Sequence, residues 1–199
     1  MLNLFTALCE DLLKGLLLKT ERLILRPLKM SDADDVFEYD RQYDVVKYMY
    51  VLSVNKGEEI SFEQVKTYIA SVEDEWKKEN PDFLEFAIQF GEEKKVIGNI
   101  CLFFNEDRTE GEFGWVLNPA FQKKGFATEA AAELMKYAFS LPEIKRLTAT
   151  CDERNERSRK VMERLGMKVL LEHQFRRYPN TGEESTEMRL YIDKTGGRA

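Results

Sequence analysis

The hydrophobic positions in the first half of the chain predict a strand followed by two helices. Leu23-Ile24-Leu25-Arg26-Pro27 predicts a short strand, and Ser31-Asp32-Ala33-Asp34 predicts the start of a helix that runs to about Tyr39. A clearer helix is predicted from Ser61 to Lys78, because apolar residues recur there every three or four positions. Ser61, with Gln64 three residues later, is its predicted capping box.

The rest of the pattern predicts strands and then alternating strands and helices. Two hairpins are expected first, since turn signals separate the strand-like segments. No repeat or interdomain linker is visible, so we expect one mixed α/β (α+β) domain with an antiparallel front half and a β-α-β-α-β back half. The predicted strands are Phe83–Phe90, Lys95–Phe104, Glu110–Leu117, Arg146–Cys151, Lys168–Phe175 and Glu187–Ile192, and the predicted helices are Ala127–Ser140 and Glu156–Leu165.

The first 19 residues show a leucine-rich helical spacing. Met1 to Lys19 therefore predicts an amphipathic helix, an extension that precedes a domain at 20–194 and a tail at 195–199. The segment lacks the basic leading region of a secretory signal, and charges interrupt it before it reaches the roughly 20 apolar residues of a membrane span. We expect it to pack on its own domain, and a homodimer contact is the alternative.

Composition and charge narrow the possible partners. The 199 residues are 43% hydrophobic and 33% charged, which supports a sizeable core. With 36 acidic against 30 basic residues the net charge is −6, so broad attraction to nucleic acid or to an anionic membrane is not expected. A small anion or a peptide is the expected partner.

The cysteines and the single histidine exclude several chemistries. Cys9, Cys101 and Cys151 show no CxxC spacing, so neither a disulfide framework nor a zinc or other metal site is predicted, and a reducing cytoplasm fits. Cys101 and Cys151 are expected in the core, with an acetyl-cysteine mechanism as the alternative. His173 is expected on the surface of the last hairpin.

The stretch from Asn118 to Glu129 carries the most chemical information. It joins a strand directly to a helix, and Gly125 permits a tight turn before the helix start, whose exposed amides suit a phosphate. Lys123 and Lys124 add positive charge there. Neither GxxxxGK[ST] nor GxGxxG is present, so a Walker or Rossmann site is not expected. Taken alone, the segment equally fits a plain turn with solvated lysines.

The flanking segments add a family resemblance. Glu112-Phe113-Gly114-Trp115-Val116-Leu117-Asn118-Pro119 precedes the loop, and Asn155-Glu156-Arg157-Ser158 and Leu165-Gly166-Met167 follow it. Together they resemble the GNAT superfamily of acetyl-CoA-dependent N-acetyltransferases, and more narrowly its RimJ/RimL-like branch of ribosomal-protein amino-terminal acetyltransferases. The resemblance runs from about Thr20 to Lys194 and begins with the opening Thr-Glu-Arg-Leu-Ile-Leu-Arg-Pro.

This resemblance implies a fold and a set of residues that bind acetyl-CoA. The fold has a mostly antiparallel sheet of about seven strands, with splayed central strands and about four flanking helices. Main-chain amides of the loop grip the pyrophosphate, and the pantetheine arm pairs with backbone groups in the gap between the splayed strands. The implied cofactor-binding residues are Trp115, Val116, Leu117, Gln122, Lys123, Lys124, Gly125, Phe126, Ala127, Thr128, Asn155 and Ser158. Without the resemblance, Asn155 and Ser158 fit helix-capping or surface positions.

The implied reaction is direct attack of an amine on the acetyl thioester. A main-chain N–H between Trp115 and Leu117 is the expected oxyanion donor. Glu112 is the candidate general base, because strand alternation places it on one face with Gly114 and Val116, and Glu110 is the reserve. Glu112 fits a solvated strand residue or a charge partner equally well, and Glu110 fits such a position better than a catalytic one.

The general acid is where this sequence departs from the family. Many relatives carry a tyrosine four residues after the position of Ser158, but here Met162 stands in its place. Ser158, a water or another residue takes the role, or no acid is needed. Ser158 is our candidate. The basic tract of Arg154, Arg157, Arg159 and Lys160 fits a solvated helix face, and one member is a candidate for the CoA 3′-phosphate.

The acceptor is the least determined part of the prediction. The resemblance favours a protein or peptide amino terminus. An α-amine with a pKa of about 7.7 to 8.0 also demands less of a base than a lysine near 10.4. Polyamines, amino sugars and amino-acid derivatives remain open, as does a catalytically silent acyl-CoA-binding module. The expected protein is thus a cytoplasmic N-acetyltransferase.

Overall fold

The computed structural model describes residues 16–49, 54–91 and 93–195. Within them, a single sheet is accompanied by five α-helices and two short 3-10 turns. The strands are β1 Leu18–Lys19, β2 Leu23–Pro27, β3 Phe83–Phe90, β4 Lys95–Phe104, β5 Glu110–Leu117, β6 Arg146–Asp152, β7 Lys168–Arg177 and β8 Glu184–Asp193. The helices are α1 Ala33–Asp40, α2 Tyr43–Val46, α3 Phe62–Glu75, α4 Phe126–Ser140 and α5 Glu156–Arg164, and the 3-10 turns are Met30–Asp32 and Pro119–Phe121.

The sheet has the strand order β1-β2-β3-β4-β5-β6-β8-β7. Every neighbouring pair is antiparallel except β5 with β6, which is parallel. This confirms the predicted fold class. The prediction of about seven strands omitted β1, and the short helix α2 was also not predicted.

The start of the domain corrects the predicted N-terminal helix. Leu18 and Lys19 form β1 and pair with Leu25 and Ile24 of β2, so the helix does not extend to Lys19. The amide of Thr20 donates to the carbonyl of Leu23 at 3.0 Å and closes the turn between the two strands. Sheet pairing therefore outweighs the helical spacing of the leucines here. The rest of the prediction, over residues 1–15, lies outside the described residues.

Local sequence accounts for the long front helix. At the start of α3, the amide of Gln64 donates to the Ser61 hydroxyl at 3.2 Å, and the amide of Ser61 donates to the Gln64 side chain at 2.9 Å. The predicted capping box is thus confirmed. Val65, Ile69 and Val72 are fully buried, which aligns one face of α3 with the core.

The two central strands diverge, and this divergence positions the site. Parallel pairing between β5 and β6 begins at Glu110 with Arg146 and ends at Phe113 with Ala149. Strand β5 continues to Leu117 while paired with β4, and β6 continues to Asp152 while paired with β8. A gap therefore opens between the carboxyl ends of the two strands, as expected for a sheet whose central strands are splayed.

Candidate active site

The loop between β5 and α4 has a backbone that few residues can adopt. Gly125, immediately before α4, has a φ of +84°, and Lys123 has a φ of +63°. A glycine takes this left-handed conformation without strain. Phe126 is buried beside Phe90 and anchors the helix start in the core. The first amides of α4 have no partner within the helix and form a positive end at the gap.

Polar side chains at the start of the domain hold this loop in place by hydrogen bonds. Arg22 donates to the carbonyl of Lys124 at 3.1 Å and to the carboxylate of Glu129 at 2.7 Å. The Thr20 hydroxyl also donates to Glu129, and the Arg22 guanidinium lies 4.3 Å from the centre of the Phe126 ring. Burial alone would raise the pKa of Glu129, but the hydrogen bonds from Thr20 and Arg22 lower it below its usual value. Sequence reasoning did not assign these three polar residues to the loop.

Side chains of the predicted cofactor-binding residues also connect the two sides of the gap by hydrogen bonds. The amide nitrogen of Gln122 donates to the carbonyl of Leu117 at 2.9 Å, and its oxygen accepts from Arg157 on α5 at 2.8 Å. On α5 itself, the side chain of Asn155 accepts from the amide of Ser158 at 3.2 Å. The capping interpretation of Asn155 is confirmed, and the cap fixes the helix end that faces α4.

One open cleft of about 1770 Å³ brings most of the predicted residues together. Of the twelve residues implied as cofactor-binding, eleven line it, and Glu112 lies on the same wall. Lys124 is the exception, since its ammonium lies 5.2 Å from the centre of the Phe121 ring and its carbonyl accepts from Arg22. Eight basic and five acidic side chains line the cleft, so it has the opposite charge balance to the acidic chain as a whole.

Glu112 lies in the cleft as an ion-paired side chain. It is 38% exposed, and its carboxylate is 3.2 Å from the guanidinium of Arg189 on β8. Arg189 also donates to the hydroxyl of Thr148 on β6 at 3.0 Å. The reserve candidate, Glu110, starts the β5–β6 pairing opposite Arg146 at the closed end, away from the gap.

A second carboxylate in the cleft was not identified from the sequence. Glu85 on β3 is 4% exposed and accepts from the side-chain amide of Asn99 at 2.6 Å. The Tyr68 hydroxyl and the Cys101 thiol also hydrogen-bond to it. Burial raises the pKa of Glu85 to about 7, and these hydrogen bonds oppose the rise without cancelling it. The available signal was Glu85 and Asn99 interrupting otherwise apolar stretches of neighbouring strands.

The described cysteines are buried free thiols, as predicted. Burial holds the pKa of Cys101 well above its usual value and raises that of Cys151 to about 11. Both thiols therefore stay protonated at neutral pH, which weighs against an acetyl-cysteine mechanism. Cys9 lies outside the described residues.

The remaining candidates take structural or surface positions. Met162 is fully buried in the core, and the side chain of His173 is 80% exposed and pairs with Glu153 at 3.0 Å. In the basic tract, Arg154 pairs with Asp152 at 2.7 Å and Arg159 with Glu163 at 2.9 Å. Most of the positive charges in this tract are thus paired with acidic side chains of the protein itself.

The described part of the chain holds neither a cluster of metal ligands nor a membrane-spanning helix. Across residues 16–49, 54–91 and 93–195, no three histidine, cysteine, aspartate or glutamate side chains are grouped as metal ligands would be. Within the same ranges, no helix has the length and apolar character needed to cross a bilayer.

A sheet that splits beside a glycine-initiated helix, with a cleft that reaches both, is the arrangement that the resemblance to acetyl-CoA-dependent N-acetyltransferases implies. Comparison with known proteins agrees with this class. The family model for the acetyltransferase (GNAT) domain matches residues 22–168, and this protein therefore belongs to the GNAT family of acetyltransferases. It is an acetyl-CoA-dependent N-acetyltransferase.

Similar proteins include an uncharacterized N-acetyltransferase and one with a named substrate. An uncharacterized N-acetyltransferase of Bacillus subtilis, YnaD, is 30% identical over 149 residues, which cover 75% of this chain and 81% of the relative. The spermidine N(1)-acetyltransferase of Escherichia coli is 26% identical over 147 residues, covering 73% and 72%. A crystal structure of a GNAT-family acetyltransferase from Bacillus anthracis superposes with a TM-score of 0.75 at 27% identity, over 90% of this chain and 99% of that one.

Proposed function

We propose that this protein acetylates the amino terminus of a protein or peptide, by direct attack of the amine in a ternary complex with acetyl-CoA. The observation that carries the choice of acceptor is the pairing of charges in the cleft. Of the five acidic side chains that line it, four form ion pairs: Asp44 with Lys47, Glu112 with Arg189, Glu156 with Lys160 and Glu187 with Arg176.

This pairing suits an acceptor with one positive charge better than a polyamine. A polyamine carries several ammonium groups, and each needs a carboxylate or a comparable acceptor when it leaves water. A peptide amino terminus brings a single ammonium, and its backbone carbonyls can accept from arginines such as Arg176 and Arg189. The opening of the chain from Thr20 to Pro27 resembles that of the RimJ/RimL-like branch, and this resemblance favours the same choice.

The residues around the gap fit the CoA part of acetyl-CoA. Gly125 and the first amides of α4 would hold the pyrophosphate, and the backbone of Trp115 to Leu117, which β6 leaves unpaired, would hold the pantetheine arm. Bound there, acetyl-CoA supplies the acetyl group as an activated thioester.

The proposed chemistry needs three tasks from the protein. The site must align the amine with the thioester carbonyl, donate a hydrogen bond to the carbonyl oxygen and accept protons from the amine. A main-chain N–H between Trp115 and Leu117 serves as the donor. The nitrogen–carbon bond forms first and gives a tetrahedral intermediate, and the carbon–sulfur bond then breaks with its electron pair on sulfur. Ser158 passes a proton to the thiolate and is reprotonated by the second proton of the attacking amine. Glu112 is one candidate for the base.

A panel of acceptors tests this proposal. Thiol release from acetyl-CoA would be measured with four compounds. These are a tetrapeptide amide with serine at its amino terminus, the same peptide with that amino terminus blocked, spermidine and glucosamine. We expect the free peptide to give a kcat/KM at least tenfold above that of spermidine, and the blocked peptide to give none. Turnover of spermidine or glucosamine alone would overturn the peptide assignment, and acetyl-CoA binding without release for any amine would favour a silent module.

A further inference from the structure

Glu85 lies in a row of residues that leads across the sheet to the gap. On the cleft face, Glu85 of β3 is opposite Cys101 of β4, and Cys101 is opposite Gly114 of β5. Adjacent strands lie about 4.8 Å apart, so the row spans roughly 10 Å. Gly114 directly follows Phe113, the last residue of β5 that pairs with β6. The row therefore ends where the gap begins.

Gly114 keeps that row open at its far end. A Cβ atom at Gly114 would lie 2.8 Å from the sulfur of Cys101, which is closer than real contacts allow. The absence of a side chain lets the thiol sit against β5, where its sulfur lies 3.4 Å from the carbonyl oxygen of Gly114. No β5 side chain then separates the Glu85 end of the row from the gap.

A chain of hydrogen bonds fixes the orientation of Glu85. The Asn99 amide that donates to Glu85 has its own oxygen held by the hydroxyl of Tyr39 at 3.0 Å. The Glu85 side chain is itself buried, at 4% exposure. A carboxylate in such surroundings is costly to ionise, and carboxylates of this kind are concentrated at sites that use them.

We propose that Glu85 is the general base that takes the proton from the acceptor ammonium in the cleft. This step rests on the proposed amine acceptor. Proton transfer to the Glu85 carboxylate leaves a neutral amine with a free lone pair. That lone pair forms the bond to the acetyl carbon, the second proton reaches the departing thiolate, and Glu85 then returns its proton to water. An ammonium and acetyl-CoA thus give an acetamide, CoA thiol and one proton.

Glu85 is better placed for this step than Glu112. The carboxylate of Glu112 already faces the guanidinium of Arg189 at 3.2 Å, and that cation competes with an incoming ammonium. Glu85 meets only neutral donors among its hydrogen-bond partners, Asn99, Tyr68 and Cys101. Its negative charge is therefore available to a substrate.

The titratable groups around Glu85 all have raised pKa values, so Glu85 is the first of them to ionise as pH rises. Tyr39 of α1 is buried and Tyr68 of α3 is partly buried, and loss of solvation holds the pKa of each well above its usual value; the pKa of the Cys101 thiol is shifted the same way. Asp40 of α1 also faces Glu85, and burial raises the pKa of Asp40 to about 8. A base that titrates near 7 has the proton affinity that general base catalysis favours at physiological pH.

The test compares matched variants with the panel amine that gives the highest kcat/KM. Glu85→Gln keeps the shape and an oxygen for Asn99 but cannot take a proton, so we expect kcat/KM to fall 100-fold or more. The acid limb of the pH profile, with a midpoint near 7, should disappear. Glu85→Asp should retain the limb at a reduced rate, and Glu112→Gln and Asp40→Asn should keep it. The Kd for acetyl-CoA, measured by calorimetry, should be unchanged in Glu85→Gln.

Two outcomes would overturn the proposal. One is an acid limb that survives in Glu85→Gln and vanishes in Glu112→Gln, which would assign the base to Glu112. The other comes from a carboxyl 13C NMR titration of the unmodified enzyme, in which Glu85 titrates below pH 5. The titration needs no acceptor, so it decides the role of Glu85 even where the peptide acceptor fails, and the choice among panel amines decides the acceptor separately.

Discussion

The proposed donor side and the proposed acceptor side of the cleft are built in different ways. The donor side uses backbone groups from two short stretches, Trp115 to Thr128 and Asn155 to Ser158, which flank one gap. The acceptor side uses side chains such as Tyr68, Glu85 and Asn99, which come from three elements and meet through sheet register and helix packing. Donor binding is therefore encoded locally, whereas acceptor chemistry depends on long-range contacts.

The strongest test of the donor side is Gly125→Val. A β-branched residue at a φ of +84° is strained by about 1 to 3 kcal/mol, and relief of that strain would turn the first amides of α4 away from the gap. We expect the Kd for acetyl-CoA to rise roughly tenfold to hundredfold in calorimetry. The thermal midpoint should fall by a few degrees, as expected from backbone strain of this size.

A glycine outside the cleft controls for strain alone. Gly182 has a φ of +70° in the turn before β8, and a Cβ there would meet no atom within 4 Å. Gly182→Val should destabilise the protein comparably and leave the Kd for acetyl-CoA unchanged. Equal losses of affinity in both variants would show that the loop conformation has no special role in donor binding.

The same contrast explains which features were predictable from sequence. The bounds of β3, β4 and β5 were predicted as they are found, because hairpin strands carry their turn signals and alternation locally. The hydrogen bond from Arg22 to Glu129 joins residues that are 107 positions apart in the sequence, and the contact of Glu85 with Asn99 depends on strand register. Neither has a local signal. The strand β1 was missed because its partner, rather than its own spacing, decides its structure.

The acceptor side can be tested through the pH dependence of stability. Burial raises the pKa of Asp40 from 3.8 to about 8, and neither of its carboxylate oxygens has a hydrogen-bond partner among the described residues. Between these values the folded state holds a proton that the unfolded chain has lost. The free energy of unfolding should therefore fall as pH rises from about 4 to about 8, by at most about 1.4 kcal/mol per pH unit from this group.

Asp40→Asn should flatten that dependence. Urea unfolding at pH 5, 6.5 and 8 would show the largest fractional loss of slope between pH 6.5 and 8, because Asp40 titrates above Glu85 and supplies most of the slope there. Glu85→Gln should instead flatten the profile mainly between about 4.5 and 7, given the pKa of about 7 for Glu85. Profiles that superimpose on the unmodified protein would mean that both acids are solvated in the folded state.

Arg189→Met tests whether charge pairing selects the acceptor. The substitution removes the guanidinium that faces Glu112 and leaves a free carboxylate on the cleft wall. We expect kcat/KM for spermidine to rise about threefold to tenfold, since a second ammonium gains a partner, and that for the peptide amine to change less. A fall for both amines in the same proportion would indicate that Arg189 supports the fold of β8 and does not set acceptor preference.

An effect no larger than that of Arg189→Met is expected from Ser158→Ala, which tests the proposed acid on the donor side. The amide of Ser158 that Asn155 caps is kept by alanine, and alanine favours a helix, so α5 should remain intact. A thiolate with an ordinary pKa near 8.5 leaves readily, and losing its proton donor should lower kcat only about threefold to tenfold. Ser140→Ala, at the exposed end of α4, is the matched control and should have no effect. Unchanged kcat and unchanged Kd for acetyl-CoA in Ser158→Ala would refute the assignment of Ser158 and leave water to protonate the thiolate.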